Sequence, residues 1–132
     1  MKASPEDIFD EIKGLWQKER AETQMTLGKL ISVLESMPSQ LKVPYLYNPH
    51  SYMWYFDDLA FEINENRKKT VERFLKECKS VVGRSFFGYK GGKFRMDVNT
   101  PVWIAKRGFR GLKLIKLHSG GKIETSEDDF NI

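Results

Sequence analysis

LKVPYLYNPHSYMWYFDDLAFEIN, residues 41–64, decides the fold. The stretch is rich in β-branched and aromatic residues and carries a turn signal at Asn48-Pro49, so it reads as two strands around a long loop, paired antiparallel. After it, Asn66-Arg67-Lys68-Lys69 is a polar connection and Thr70 caps a helix. Val71, Phe74, Leu75, Cys78 and Val82 recur on one face of that helix, and Gly83 stands at its C-terminal end. Strands followed by an amphipathic helix predict an α+β domain.

Upstream, Thr26 caps a second helical stripe of Leu27, Leu30, Ile31 and Leu34, ended by Pro38. TLGKLISVLESM and TVERFLKECKSV share the opening T-[LV]-x-x-[LF]-[IL], and each precedes strand-like sequence, a weak two-fold helix-then-hairpin repeat. Ser4-Pro5-Glu6-Asp7 reads as a further helix start, with Ile8, Phe9, Ile12, Leu15 and Trp16 on one face. Residues 1–24 are therefore an N-terminal helical extension whose apolar face needs a partner. The expectation is a homo-oligomer assembled through these helices. Downstream, Val102–Lys106, Leu112–Leu117 and Lys122–Thr125 read as strands separated by turns at Gly108, Gly111 and Gly120-Gly121. The alternation in LKLIKL points Leu112, Leu114 and, less cleanly, Leu117 at a core. The expected fold is two or three helices packed on a mostly antiparallel sheet. It forms one core domain over residues 25–125, with an acidic tail at 126–132.

With 132 residues, 40% of them apolar and 13% aromatic, the chain suits a single domain with one core. No apolar run is long enough to span a bilayer, and MKASPEDIFDEIKG is too acidic for a signal peptide, so a soluble cytoplasmic protein without membrane contact is expected. The lone Cys78 falls on an apolar stripe and reads as a buried structural thiol. A net charge of +4 hides a strong asymmetry: residues 84–122 hold ten Lys or Arg against the single Asp97, a local balance of +9. That field attracts phosphate or carboxylate ligands.

Gly88-Tyr89-Lys90-Gly91-Gly92-Lys93 lies inside that segment. It has neither the GxxxxGK[ST] arrangement nor the GxGxxG order of nucleotide folds. Its glycines would let backbone N–H groups approach an anion, with Lys90 supplying charge and Tyr89 a stacking face; the plainer reading is a tight turn with solvated lysines. In the long loop of residues 49–58, Tyr52 and His50 are candidates for gripping a base or sugar. His50 with Asp57 or Asp58 could form a catalytic pair, but no nucleophile accompanies them, and a structural hydrogen-bonding histidine is the better reading. Asn99 and Trp103 lead into Arg107 and Arg110, whose forks suit phosphate; Arg95 adds charge, and Trp103 taken alone reads as core filler. Two histidines and one cysteine without ligand spacing do not make a metal site, and no cofactor is implied.

NPHSYMWYFDDLAFE, a TVxxxL helix, GYKGGKFRM and TPVWIAKRG, in that order, resemble a family of small phage and prophage proteins with the pattern PHSYRGYYSDLAFE, GYKGG-x-[FY]-x-M and T-x-[LVC]-W-[LVI]-A. The match covers residues 26–111. Met53 and Trp54 depart from it, standing where the family has Arg and Gly. The family is similar to the Thoeris anti-defence sponges, which sequester cyclic ADP-ribose-type signals. The resemblance implies a non-enzymatic protein that binds a small nucleotide-like anion in the host cytoplasm. A basic nucleic-acid-binding module and a small nucleotide-processing enzyme are the alternatives, the first requiring a steep salt dependence and the second a catalytic role for His50, Asp57 or Asp58.

Overall fold

The computed structural model describes residues 15, 18–20, 22–52, 58–88, 92–105 and 111–126. Among these the elements run α1 (Leu27–Glu35), β1 (Lys42–Ser51), β2 (Leu59–Thr70), α2 (Val71–Val81), β3 (Ser85–Phe87), β4 (Lys93–Arg95), β5 (Val102–Ala105), β6 (Gly111–Leu117) and β7 (Ile123–Thr125). Residues 18–20 and 22–23 are helical as well. Strands β1, β2, β5, β6 and β7 form one sheet in that order, mostly antiparallel, with β2 and β5 parallel. Strands β3 and β4 form a separate antiparallel pair. The α+β expectation holds, and no described helix is long and apolar enough to cross a membrane.

Both helices start as the sequence predicts. Thr26 and Thr70 keep extended backbones while their hydroxyl oxygens accept from the amides of Lys29 and Arg73, each at 3.2 Å. Their apolar faces, Leu27, Leu30 and Leu34 on α1 and Val71, Phe74, Cys78 and Val81 on α2, pack against one face of the large sheet. That sheet face offers Leu46, Leu59, Phe61, Val102, Ile104 and Leu114, and Phe61 meets Phe74 edge-on at 5.4 Å. Leu114 and Leu117 are both buried although they stand three positions apart, an odd offset that would put them on opposite faces. A register shift between Leu114 and Lys116 reverses the alternation and explains it.

The β1–β2 hairpin is longer than expected: Asn66 to Lys69, read as a polar connection, continue β2, and Lys68 and Lys69 pair with the start of β1. Two irregularities bend it. Tyr47 pairs with Glu62 and His50 with Ala60, so Asn48 and Pro49 bulge out, with Asn48 at φ +50. At the other end, Pro44 pairs with Lys68 and Tyr45 with Asn64, so residues 65–67 bulge opposite a single step of β1. The side chain of Lys69 is buried there, its Nζ 2.6 Å from a Glu77 carboxylate oxygen and 4.4 Å from the centre of the Tyr45 ring. The beginning of β1 also lies against the β6–β7 turn, close enough that a Cβ built on Gly121 would fall 2.3 Å from the Lys42 carbonyl oxygen.

Residues 24 and 25 tie the N-terminal segment to the sheet. Val102 would extend the β5–β6 pairing, but Met25 sits in the gap: its amide donates to the Leu114 carbonyl at 2.7 Å and its carbonyl accepts from the Val102 amide at 2.9 Å. The Gln24 amide nitrogen donates to the Val102 carbonyl at 2.9 Å. The ladder groups of Val102 that β6 leaves open are thereby satisfied.

Gly121 has φ +95 as well as its close approach to Lys42, whereas Gly120 beside it has open space. Gly121→Ala is therefore expected to cost at least about 1–3 kcal/mol, the range for a non-glycine residue held in a strained backbone region. Gly120→Ala should stay within about 0.5 kcal/mol of the parent, as an ordinary surface change does. Urea denaturation checks both, and equal midpoints for the two variants would contradict the packing of the β6–β7 turn on β1.

Candidate functional site

The face of the large sheet turned away from the helices carries the motifs singled out in the sequence. Register aligns His50, Ala60, Trp103 and Lys113 in one row across four strands, and Glu62, Ala105 and Gly111 in the next row on the same face. Alternation thus sends Ile104 to the main core and Trp103 to this face. Trp103, expected as core filler, instead packs in a second small cluster with Tyr52, Ala60 and Ala105. The alanines leave room for flat rings. Tyr52 stacks on Trp103 with centroids 4.1 Å apart and planes within 11°.

Asp58 holds this pair in place. Its carboxylate is 2% exposed and accepts the Trp103 indole N–H at 2.8 Å through Oδ2. The Arg20 fork meets the same group: Nη2 donates to Oδ1 at 3.0 Å, and Nε lies 2.7 Å from Oδ2, although the Nε–H is not directed along a hydrogen bond. The Tyr52 amide also donates to the Asp58 carbonyl, at 2.8 Å. Asp58, Trp103, Tyr52 and Arg20 are therefore one buried electrostatic unit, built from three segments distant in the chain.

The tyrosine connects that unit to the next loop. The Gly111 amide donates to the Tyr52 hydroxyl oxygen at 3.3 Å, and Gly111 pairs with Ala105. A Cβ on Gly111 would fall 2.6 Å from the Ile104 carbonyl oxygen, so only glycine fits there. Ala105 and Gly111 are the two ends of KRGFR, residues 106–110, with three cations in five residues. Ala105 and Gly111, the described residues that flank this basic segment, both adjoin the stacked aromatic pair.

His50 is buried in the same row. Its Nδ1 lies 2.7 Å from the Asn48 carbonyl oxygen, so that nitrogen carries the proton and donates. The structural reading of His50 thus has a named partner, and the Asp58 carboxylate is engaged by Arg20 and Trp103. Asn99 is exposed in the turn before β5, its amide donating to an Asp97 carboxylate oxygen at 2.8 Å. Arg95 lies exposed on β4, outside the large sheet. Asp57, Tyr89, Lys90, Arg107 and Arg110 lie outside the described residues. The structure therefore brings together His50, Tyr52 and Trp103, and places Asn99 and Arg95 on other elements.

Arg20 and Gln24 belong to this neighbourhood without any signal in the sequence reading. Gln24 is buried, and its Oε1 has no hydrogen-bond partner among the described residues. Cys78 is remote from the site: it is buried under α2, and desolvation, then the nearby Glu77 charge, push its thiol up, which leaves it inert. No protein-family model matches the chain, and no curated protein and no solved structure matches it either.

Asp58→Ala should cost about 2–4 kcal/mol, somewhat below the full penalty for breaking a buried pair, because the Arg20 side chain, 30% exposed, regains hydration. Asp58→Asn keeps an acceptor for Trp103 and should cost less. Chemical denaturation followed by circular dichroism measures both; an alanine variant as stable as the parent would refute the clamp.

Proposed function

We propose that the protein binds a nucleotide-derived anion and holds it without turning it over. The sequestering role follows the resemblance to the phage anti-defence sponges, with a cyclic ADP-ribose-type signal as the ligand and the host cytoplasm as the place of action. One observation carries the reading: Gly111, which follows the basic residues 106–110 in the chain, bonds to Tyr52, whose ring stacks on Trp103. A stacked aromatic wall with three cations next to it in sequence suits a compact ligand that has a flat ring and phosphates. Arg107 and Arg110 are assigned the phosphate contacts and the Tyr52–Trp103 pair the ring contact.

Calorimetry against cyclic ADP-ribose isomers and cyclic oligonucleotides tests the reading. Tight binding with modest salt sensitivity is expected, the ligand being recovered unmodified by chromatography. Arg107→Ala with Arg110→Ala should abolish binding while the circular dichroism spectrum stays that of the parent. A ligand recovered cleaved would make the protein an enzyme, and absence of any small-nucleotide binding would remove the sponge reading.

Self-association through the N-terminal segment belongs to the same proposal, supported by Leu15, which is 62% exposed on that segment. Removing residues 1–14 spares the Arg20–Asp58 contact and should lower the mass seen in light scattering. An unchanged mass would show that these residues pack on their own domain.

A further inference from the structure

The β3–β4 hairpin presents a second surface built from different residues. Phe86 pairs with Phe94 and both turn inward, Phe86 buried and Phe94 packed on the core. Alternation turns Phe87, Lys93 and Arg95 the other way, where all three are exposed, and Phe87 and Lys93 face each other across the strands. Phe87 is 65% exposed, the most open large apolar side chain among the described residues. A lone exposed ring is ordinary and needs no explanation. Its company sets this one apart: from Arg84 to Met96 the chain holds four cations and no carboxylate. The next acidic group, Asp97, turns its carboxylate into its own loop, accepting from the Asn99 amide at 2.8 Å and the Thr100 hydroxyl at 3.4 Å.

An open aromatic ring flanked by cations is the arrangement that grips single-stranded nucleic acid, bases stacking on the ring while the charges track the backbone. We infer that the outward face of the β3–β4 hairpin is a docking surface for single-stranded nucleic acid, with one base on Phe87 and neighbouring phosphates at Lys93 and Arg95. A second copy of the chain fits poorly, because two such faces would set like charges against each other. Duplex DNA fits poorly because its bases are already stacked on one another. The inference goes beyond the sponge reading and shares with its candidates only Arg95, which stands on β4 outside the large sheet.

Fluorescence anisotropy of a short labelled oligothymidylate, titrated with the full chain, tests it. Phe87→Ala should weaken binding by about 5- to 150-fold, the worth of one stacked base, and Phe87→Trp should restore it. Lys93→Gln and Arg95→Gln should each reduce the slope of log affinity against log salt by about 0.7. Thermal melting of all these variants should match the parent, since the altered side chains are exposed. Arg107→Ala with Arg110→Ala should leave oligonucleotide binding intact, so that the two proposals fail separately. Unchanged affinity in Phe87→Ala would overturn the inference, as would duplex binding equal to single-strand binding or a lower solution mass for Phe87→Ala without nucleic acid.

Discussion

The parallel pairing of β2 with β5, four residues long from Leu59–Val102 to Glu62–Ala105, is the constraint on which the rest of the structure depends. Parallel strands cannot be joined by a tight turn, so everything between residues 71 and 101 serves as the crossover. Helix α2 fills it on the core side, Phe74 against Phe61. The same register places Ala60 beside Trp103, and therefore Asp58, two residues earlier on the same face, within reach of the indole. A slip of one residue would send Trp103 into the position that Ile104 occupies in the helix-side core and would part the indole from its carboxylate. Register and site are thus specified by the same few residues.

Two buried charges are handled alike. Asp58 and Lys69 each have a nearly inaccessible side chain, and each is met by a partner that keeps contact with water: Arg20 at 30% and Glu77 at 37% exposure. Desolvation falls mainly on one member of each pair, which lowers its cost relative to a wholly buried pair. Hydrogen bonds and rings complete the solvation. Trp103 donates to Asp58, and the Tyr45 and Phe74 rings lie 4.4 Å and 5.6 Å from the Lys69 Nζ. The gain is positional. Asp58 fixes the N-terminal segment and Trp103 against each other, and Lys69 fixes the far end of β2 to α2 through Glu77.

What was legible in the sequence was local. The threonine caps, the stripes of α1 and α2, the antiparallel hairpin and the last three strands follow from spacing within ten or so residues and appear where expected, except that Val81 takes the buried place expected of Val82, which caps α2 and is exposed. What was not legible depends on residues far apart. Arg20 and Asp58 are separated by 38 positions, Tyr52 and Gly111 by 59, and nothing at either end advertises the other. The short β3 and β4 were hidden because glycines dominate the segment between them and leave little alternation to read. Lys68 and Lys69 looked like a linker because their charges mask the pairing that Lys42 to Pro44 offer them. In the sequence Asp58 reads only as the acidic half of a catalytic pair with His50. The alternation Asp58, Ala60, Glu62 along β2 places it on the face away from the core, and that signal could have found its partners.

The fold also divides a charge asymmetry that is continuous in sequence. Of the ten cations between residues 84 and 122, Lys93 and Arg95 stand on the hairpin, Lys113 and Lys116 on β6, and Lys122 in the turn that follows it. At physiological ionic strength exposed charges are screened beyond about 8 Å. An isolated exposed ion pair adds only about 0–1 kcal/mol, so charge alone makes neither surface specific. Specificity has to come from what stands beside the cations. On the large sheet stands a stacked tyrosine–tryptophan pair on a floor of alanines. Beside Lys93 and Arg95 stands a single open ring, Phe87. The aromatic side chains thus differ in kind, one pair closed on itself and the other ring open to solvent, a difference that charge alone does not make.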